Sequence, residues 1–293
     1  MRRSGNELGQ SSPKTGARSR FIDAQSEKNP MNKYLETNRD LWNGWTRIHQ
    51  TSEMYDLEGF KAGNTSLKAV ELEELGDVEG KSLLHLQCHF GMDTLSWARR
   101  GAQVTGVDLS DEAVELARSL SRELGIPAEF ICSDIYALEK VLDGQFDIVF
   151  TSYGVLCWLP DLDRWAAIIA RYLKPGGVFY MVEFHPLMTM LDDTGERWAY
   201  PYFHSPEPME FETEGSYADA DAVFRHVSYE WAHGLGEVVT ALIRAGLKLD
   251  YLHEFPYCNS KFLPFMEESS PGQYMVRDQP NTIPMMFSIR ARR

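Results

Sequence analysis

The chain has 293 residues, 43% of them hydrophobic, enough to bury a sizeable core as one large α/β domain with an insertion or as two small domains. A formal net charge of −14 argues against a dedicated duplex-DNA or RNA surface, which needs clustered Lys and Arg, so no nucleic acid partner is expected. Cys88, Cys132, Cys157 and Cys258 lie far apart with no CxxC or paired-histidine spacing, and no apolar run approaches a membrane span, so the expectation is a cytoplasmic protein without disulfides, metal or membrane contact.

Residues 1–30 are rich in Ser, Gly, Arg and Lys and nearly free of large apolar side chains, which predicts a disordered tail. Its basic, Ser-bearing start has the composition of an organelle address, but no apolar stripe accompanies the arginines. Over 31–79 the spacing predicts cap helices. Tyr34, Leu35, Leu41, Trp42, Trp45 and Ile48 suit an amphipathic helix from Asn32 to Gln50, and Leu67, Val70, Leu72 and Leu75 suit a second beginning near Ser66.

From residue 80 to 293 the pattern becomes alternating units. Strands are predicted at Ser82–Gln87, Gln103–Asp108, Glu129–Cys132, Phe146–Phe150 and Val178–Phe184. Helices fall between them at Asp93–Arg100, at Asp111–Leu124 with Ser110 as N-cap, and at Leu162–Leu173, ending at Lys174-Pro-Gly-Gly177. Residues 186–232, with Pro201, Pro206, Pro208 and Gly215 among aromatics, read as an insertion. A helix from Leu235 to Ala245 and strands at Lys248–Phe255 and Pro284–Ala291 complete the sheet. Such alternation predicts a doubly wound, seven-stranded, mainly parallel sheet whose ligands bind beyond the C-terminal strand ends.

At those ends stand candidate binding residues. Asp108, 17 residues after Gly91, closes the second strand, where an acid accepts both hydroxyls of a ribose. Asp134 closes the third, where an acid accepts from an exocyclic amine such as adenine N6, with Leu109 and Ile135 on either side of the base. Each acid alone is also a common turn or cap residue; together, in order, they are a stronger signal.

The stretches "LLHLQCHFGMDTLSWARRGAQVTGVDLSDEAVELAR", "FICSDIYAL", "FDIVFTSYGVLCWLPDLDRWAAIIARYLKPGGVFYMVE" and "LGEVVTALIRAGLKLDYLHEF" resemble the successive motifs of class I S-adenosylmethionine-dependent methyltransferases, in the branch that methylates small molecules. The resemblance covers roughly residues 80–185 and 233–292. It implies S-adenosylmethionine as cofactor, S-adenosylhomocysteine as product, and the family's Rossmann-like fold, with the cap helices in front and a lid insertion between the fifth and sixth strands. The family's first loop reads acid-x-Gly-x-Gly-x-Gly; here His85, Gln87, His89 and Gly91 occupy those slots, with Cys88 between. If Gln87 and His89 take left-handed backbone angles, each costs on the order of 1–2 kcal/mol, against about 8 kcal/mol holding a micromolar cofactor. Their side chains then gain access to the cofactor's carboxylate. By resemblance, the backbone at Thr151 and Ser152 meets the methionine end. Trp45 and Tyr34 on the leading helix either close over the cofactor or pack in the core.

Acceptor-side candidates follow the later strands. His185 in "EFHP" is the first choice for a general base, because imidazole titrates near working pH, with Tyr153 and His233 as further catalytic candidates. The alternative for His185 is a loop histidine bonded to backbone, and for His233 a helix cap. Trp158, Glu183, Tyr229, Trp231 and Tyr257 are candidate substrate contacts, with His253 and Glu254 nearby in sequence. Glu183 either anchors an amine or is a strand-end residue facing solvent, and the insertion's aromatics either line a lid or fill a core. No Asn-Pro-Pro-aromatic motif of nucleic-acid amine methyltransferases occurs, and no carboxylate cluster of the metal-dependent kind is evident. The expected function is methyl transfer to nitrogen or oxygen of a small molecule by in-line displacement. Its rivals are a catalytically silent cofactor-binding protein of the same fold and a nucleotide-dependent oxidoreductase; monomer or homodimer stays open.

Overall fold

The computed structural model describes residues 30–277 and 281–293. The predicted tail lies outside the described residues except for Pro30, which opens the first helix. Helices α1 (Pro30–His49), α2 (Leu57–Lys61) and α3 (Ala69–Leu75) precede the sheet; α2, a single short turn without periodicity, was not predicted. There follow β1 (Ser82–Leu86), α4 (Met92–Arg99), β2 (Gln103–Asp108), α5 (Asp111–Leu124), β3 (Glu129–Cys132), β4 (Phe146–Ser152), α6 (Leu162–Tyr172) and β5 (Leu173–Phe184). The expected helix end at Lys174–Gly177 is corrected: the strand already begins at Leu173.

The insertion contributes a hairpin of β6 (Met209–Glu214) and β7 (Arg225–Glu230). After it come α7 (Leu235–Arg244), β8 (Lys248–Phe255), a second unpredicted hairpin of β9 (Met266–Ser270) and β10 (Gln273–Val276), and β11 (Met286–Arg292). Seven strands form one sheet in the order β3-β2-β1-β4-β5-β11-β8, parallel except at β11, which runs antiparallel to both neighbours.

Alternation along the strands sorts the core onto two faces. Leu84, Leu86, Val149, Phe179 and Phe287 pack under α6 and α7, with Trp165 fully buried against Phe179. Leu83, Val104, Phe150 and Tyr180 face α3 and α4, where Trp97 is sealed. Burying each such side chain contributes roughly 1.5–3 kcal/mol. Helix α5 starts where Ser110 Oγ accepts the Ala113 N–H and stops at Gly125, whose φ of 64° is the left-handed conformation usual for a C-cap glycine. These stops leave the C-terminal ends of β1, β2, β3 and β4 at one edge, under α1.

Candidate functional site

The turn from β1 into α4 keeps a glycine loop's shape without its glycines. Gln87, His89 and Gly91 have φ of 57°, 50° and 79°, so alternate residues stand in the left-handed region. The residues between them turn inward: Cys88 and Phe90 are buried against α4, α5 and Phe130. Only glycine serves at residue 91, because a Cβ there would lie 2.6 Å from the Phe130 ring. The strain at His89 is offset by its N–H donating to Asp108 Oδ2 at 2.7 Å, and at Gln87 by its amide donating to Val155 O at 3.0 Å. Cys88, predicted as a cofactor contact, is corrected: its thiol points into the core, and burial pushes its pKa well up. His85, in the family's acid slot, is also a core residue, its Nδ1 2.8 Å from Thr94 Oγ1.

Asp108 is nearly sealed and takes a second backbone N–H, from Ser110 at 2.9 Å. Burial raises its pKa to about 6, opposed by those backbone bonds. Beyond it a cleft of about 300 Å³ opens between α1 and the ends of β2 and β3. Leu109, Cys132, Ser133 and Asp134 form one wall; Asn32, Leu35, Glu36 and Arg39 form the other. Asp134 caps the following 3-10 turn by accepting the Tyr136 N–H through Oδ1, and burial raises its pKa. Ile135 is corrected: it packs in the core beside Leu138 and does not line the cleft.

Helix α1 divides its faces by the 100° step per residue. Asn32, Leu35, Arg39, Trp42 and His49 recur at helical spacing toward the cleft and the first loop. Trp42 lies edge-on to His89 and to Trp158, with ring centroids 5.2 and 5.3 Å apart, and so fills the space between the first loop and the turn after β4. His49 Nδ1 is 3.3 Å from His89 Nε2, and its buried Nε2 has no partner. Burial lowers His49 to about 4 and holds His89 well below the usual histidine value, so both rings are neutral. Tyr34, Asn38 and Trp45 face the insertion instead. Asn38 exchanges two hydrogen bonds with the Tyr229 backbone, Trp45 Nε1 donates to Gly215 O at 3.0 Å, and the Tyr34 ring packs on Tyr229 and Trp231. Trp45 is therefore buried under the insertion beside Trp42 and Trp158, while half-buried Tyr34, whose hydroxyl donates to Glu207, packs at the insertion's edge; the helix meets the first loop and the cleft with residues the sequence reading passed over: Arg39, Trp42 and His49. Their signal was the spacing of seven from Leu35 to Trp42 to His49.

Thr151 and Ser152 are still paired inside β4, with Thr151 Oγ1 donating to Leu86 O, and the turn at Gly154 and Val155 lies beyond them. Glu183 holds that turn. Its buried carboxylate accepts the N–H groups of Gly154, Val155 and Leu156, and that of Phe184, which corrects both the amine anchor and the solvent-facing reading. Trp158 donates to Gly154 O from the same turn and meets Trp42 and Trp45.

No expected base stands free in the cleft. His185 Nδ1 accepts the Leu187 N–H and its Nε2 lies 3.1 Å from Glu254 Oε1, as the backbone-bonded alternative required. The Tyr153 hydroxyl accepts from Asn259 Nδ2 at 2.6 Å, and burial pushes its phenol well up. His233 is bracketed by Leu159 O and Glu237 Oε2. Tyr229 and Trp231 are buried in the contact between insertion and α1, and Trp231 N donates to Cys157 O. Tyr257 packs on Phe255 in the cluster beside the β9–β10 hairpin that also holds Tyr153 and Phe184, and His253 pairs with Glu74 of α3.

Residues 84–181 match the family model described as a methyltransferase domain. The ubiquinone biosynthesis O-methyltransferase of Chromobacterium violaceum is 34% identical over 110 residues, 37% of this chain and 47% of that protein. The chain spans about half the length of the curated relatives it matches. Among solved structures, a Listeria monocytogenes chain assigned to the S-adenosylmethionine-dependent methyltransferases superposes with a TM-score of 0.53 at 18% identity, covering 76% of this chain and 95% of that one. One from Clostridium acetobutylicum gives 0.51 at 15% identity, covering 90% and 99%. At these identities the structural likeness establishes the fold alone. Residues 84–181, from β1 to β5, thus match a methyltransferase domain, on the fold shared with those S-adenosylmethionine-dependent methyltransferase structures.

Proposed function

We propose that this protein transfers the methyl group of S-adenosylmethionine to a nitrogen or oxygen of a small molecule. The observation that carries the reading is the first loop: left-handed backbone at Gln87, His89 and Gly91 aims it at Asp108, beside an open cleft lined by Leu109 and Asp134. The residues present fit the cofactor's chemistry. Asp108 retains lone pairs for ribose hydroxyls, Asp134 Oδ2 for an exocyclic amine, and Gln87 Oε1 is sealed from solvent without a partner, an acceptor suited to an ammonium group. When bound, S-adenosylmethionine supplies an electrophilic methyl group on a sulfonium.

The chain's own part is alignment and exclusion of water, which can supply roughly 7–11 kcal/mol of a barrier. Trp42, Trp45, Trp158 and Tyr217 build an aromatic wall from α1, the turn after β4 and the insertion. His185, Tyr153 and His233 are engaged elsewhere, which favours an acceptor that does not rely on them as base: an amine with a free lone pair, or a hydroxyl acidic enough to ionise in water.

Calorimetric titration with S-adenosylmethionine tests the reading. Micromolar binding that is lost in Asp134→Ala supports it; no binding to the wild type defeats it. That none of His185, Tyr153 and His233 stands free also favours a second reading, a protein that binds the cofactor without turnover. Methylation of any member of an amine and phenol panel eliminates that one.

A further inference from the structure

Away from the cofactor cleft, three side chains from two parts of the fold converge. His233 lies just before α7 and Glu237 in its first turn, while His204 comes from the insertion. The His233 side chain is only 1% exposed, with Nε2 2.7 Å from Leu159 O and Nδ1 3.1 Å from Glu237 Oε2. A neutral imidazole has one donor and one acceptor, so neither tautomer satisfies both oxygens. With Nε2–H on the Leu159 carbonyl, the Nδ1 lone pair confronts the Glu237 carboxylate. The His204 ring lies 4.9 Å away and within 11° of parallel, and its Nδ1 is shielded from solvent with no hydrogen-bond partner. One ligand atom from each of the three residues lies within 4.8 Å of the others.

We propose that His204, His233 and Glu237 bind a divalent transition-metal ion that ties the insertion to the main domain. At bonds of about 2.0–2.2 Å, a nitrogen and an oxygen 3.1 Å apart subtend an angle of about 100° at a shared ion, within the range of a tetrahedral or octahedral site. A small rotation of half-buried His204 brings in the third ligand. Two imidazoles and one carboxylate suit Zn²⁺ and its first-row neighbours over Mg²⁺ or Ca²⁺, which prefer all-oxygen sets. The ion would satisfy the His233 lone pair, the Glu237 charge and the His204 nitrogen together. It would also anchor the insertion beside Leu159, one residue from Trp158 of the aromatic wall.

The test uses untagged full-length chain, stripped with a chelator and titrated with Zn²⁺ by calorimetry and with Co²⁺ by visible absorption. Wild type is expected to take one equivalent, with Co²⁺ giving ligand-field bands. His204→Ala and Glu237→Gln are each expected to weaken binding by roughly a hundredfold or more, beyond the effect of losing a supporting contact. Glu237 is partly exposed, so Glu237→Gln keeps the fold if His204→Ala does not. Failure of the wild type to take up stoichiometric metal, or undiminished uptake by Glu237→Gln, overturns the proposal. So does an NMR titration in which His233 is an imidazolium at pH 7 and stays so with Zn²⁺ present.

Discussion

Lowering the pH from 7 to 5 is expected to weaken S-adenosylmethionine binding about tenfold, through Asp108. Ribose hydroxyls donate to a carboxylate, so the ionised form is the competent one, and burial has raised this group to about 6. About nine-tenths of it is ionised at pH 7 and about one-tenth at pH 5, a difference of about 1.4 kcal/mol in binding. The neighbouring imidazoles do not confuse the reading, since His49 is pulled down to about 4 and His89 is held low. Stability moves the other way. The folded chain holds this proton more tightly than the unfolded chain, whose value is near 3.8. The group's contribution, about 3 kcal/mol, is therefore complete below pH 4 and lost as the pH rises through about 6. Titration calorimetry at half-unit steps measures the affinity, with Asp108→Asn as control. A flat wild-type profile refutes the argument, as does a pH dependence that persists in Asp108→Asn.

Glu183→Gln replaces a carboxylate accepting four backbone N–H groups by an amide whose nitrogen cannot accept, and a loss of about 3 kcal/mol is expected in urea unfolding. Gly91→Ala adds a left-handed penalty and a clash with Phe130, together about 2–5 kcal/mol, read as a lowered melting temperature. Gln87→Gly relieves backbone strain but gives up the bond to Val155 O and adds unfolded-state freedom, so its stability is expected to stay within about 1 kcal/mol of wild type. Trp45→Phe leaves Gly215 O without its indole donor, a loss of about 1–2 kcal/mol by the same urea assay.

Local signals made the sheet legible. The predicted bounds of α5, β3 and β8 coincide with the observed ones, since Ser110 and Gly125 cap the helix and the strands are bounded by turn residues. Left-handed angles at Gln87 and His89, posed by their slots only as a condition, are present, because the backbone path into α4 is set by packing around Cys88, Phe90 and Phe130 more than by the residues bearing the strain. Partners distant in sequence were not legible. Whether Glu183 faces solvent, a ligand or the Gly154 turn depends on the pairing of β4 with β5, and whether His185 is free depends on Glu254 arriving on β8. On α1 the apolar spacing announced a helix, yet which face met the cleft was decided by the β6–β7 hairpin, whose short strands and many turn residues left no clear period.

That contact between α1 and the hairpin also dictates an order of events during synthesis. Asn38 finds its partner 191 residues downstream at Tyr229, and Trp45 finds Gly215 170 residues on. At roughly 5–20 residues per second, the helix leaves the ribosome about 10–40 s before the strand it will lie against exists. Throughout that interval Trp45, buried in the finished protein, lacks the Gly215, Tyr217 and His226 side of its surroundings. The earliest described element thus completes its docking late: a nascent chain halted before residue 215 can seat α1 on the first loop and α5, but leaves uncovered the face that the β6–β7 hairpin buries.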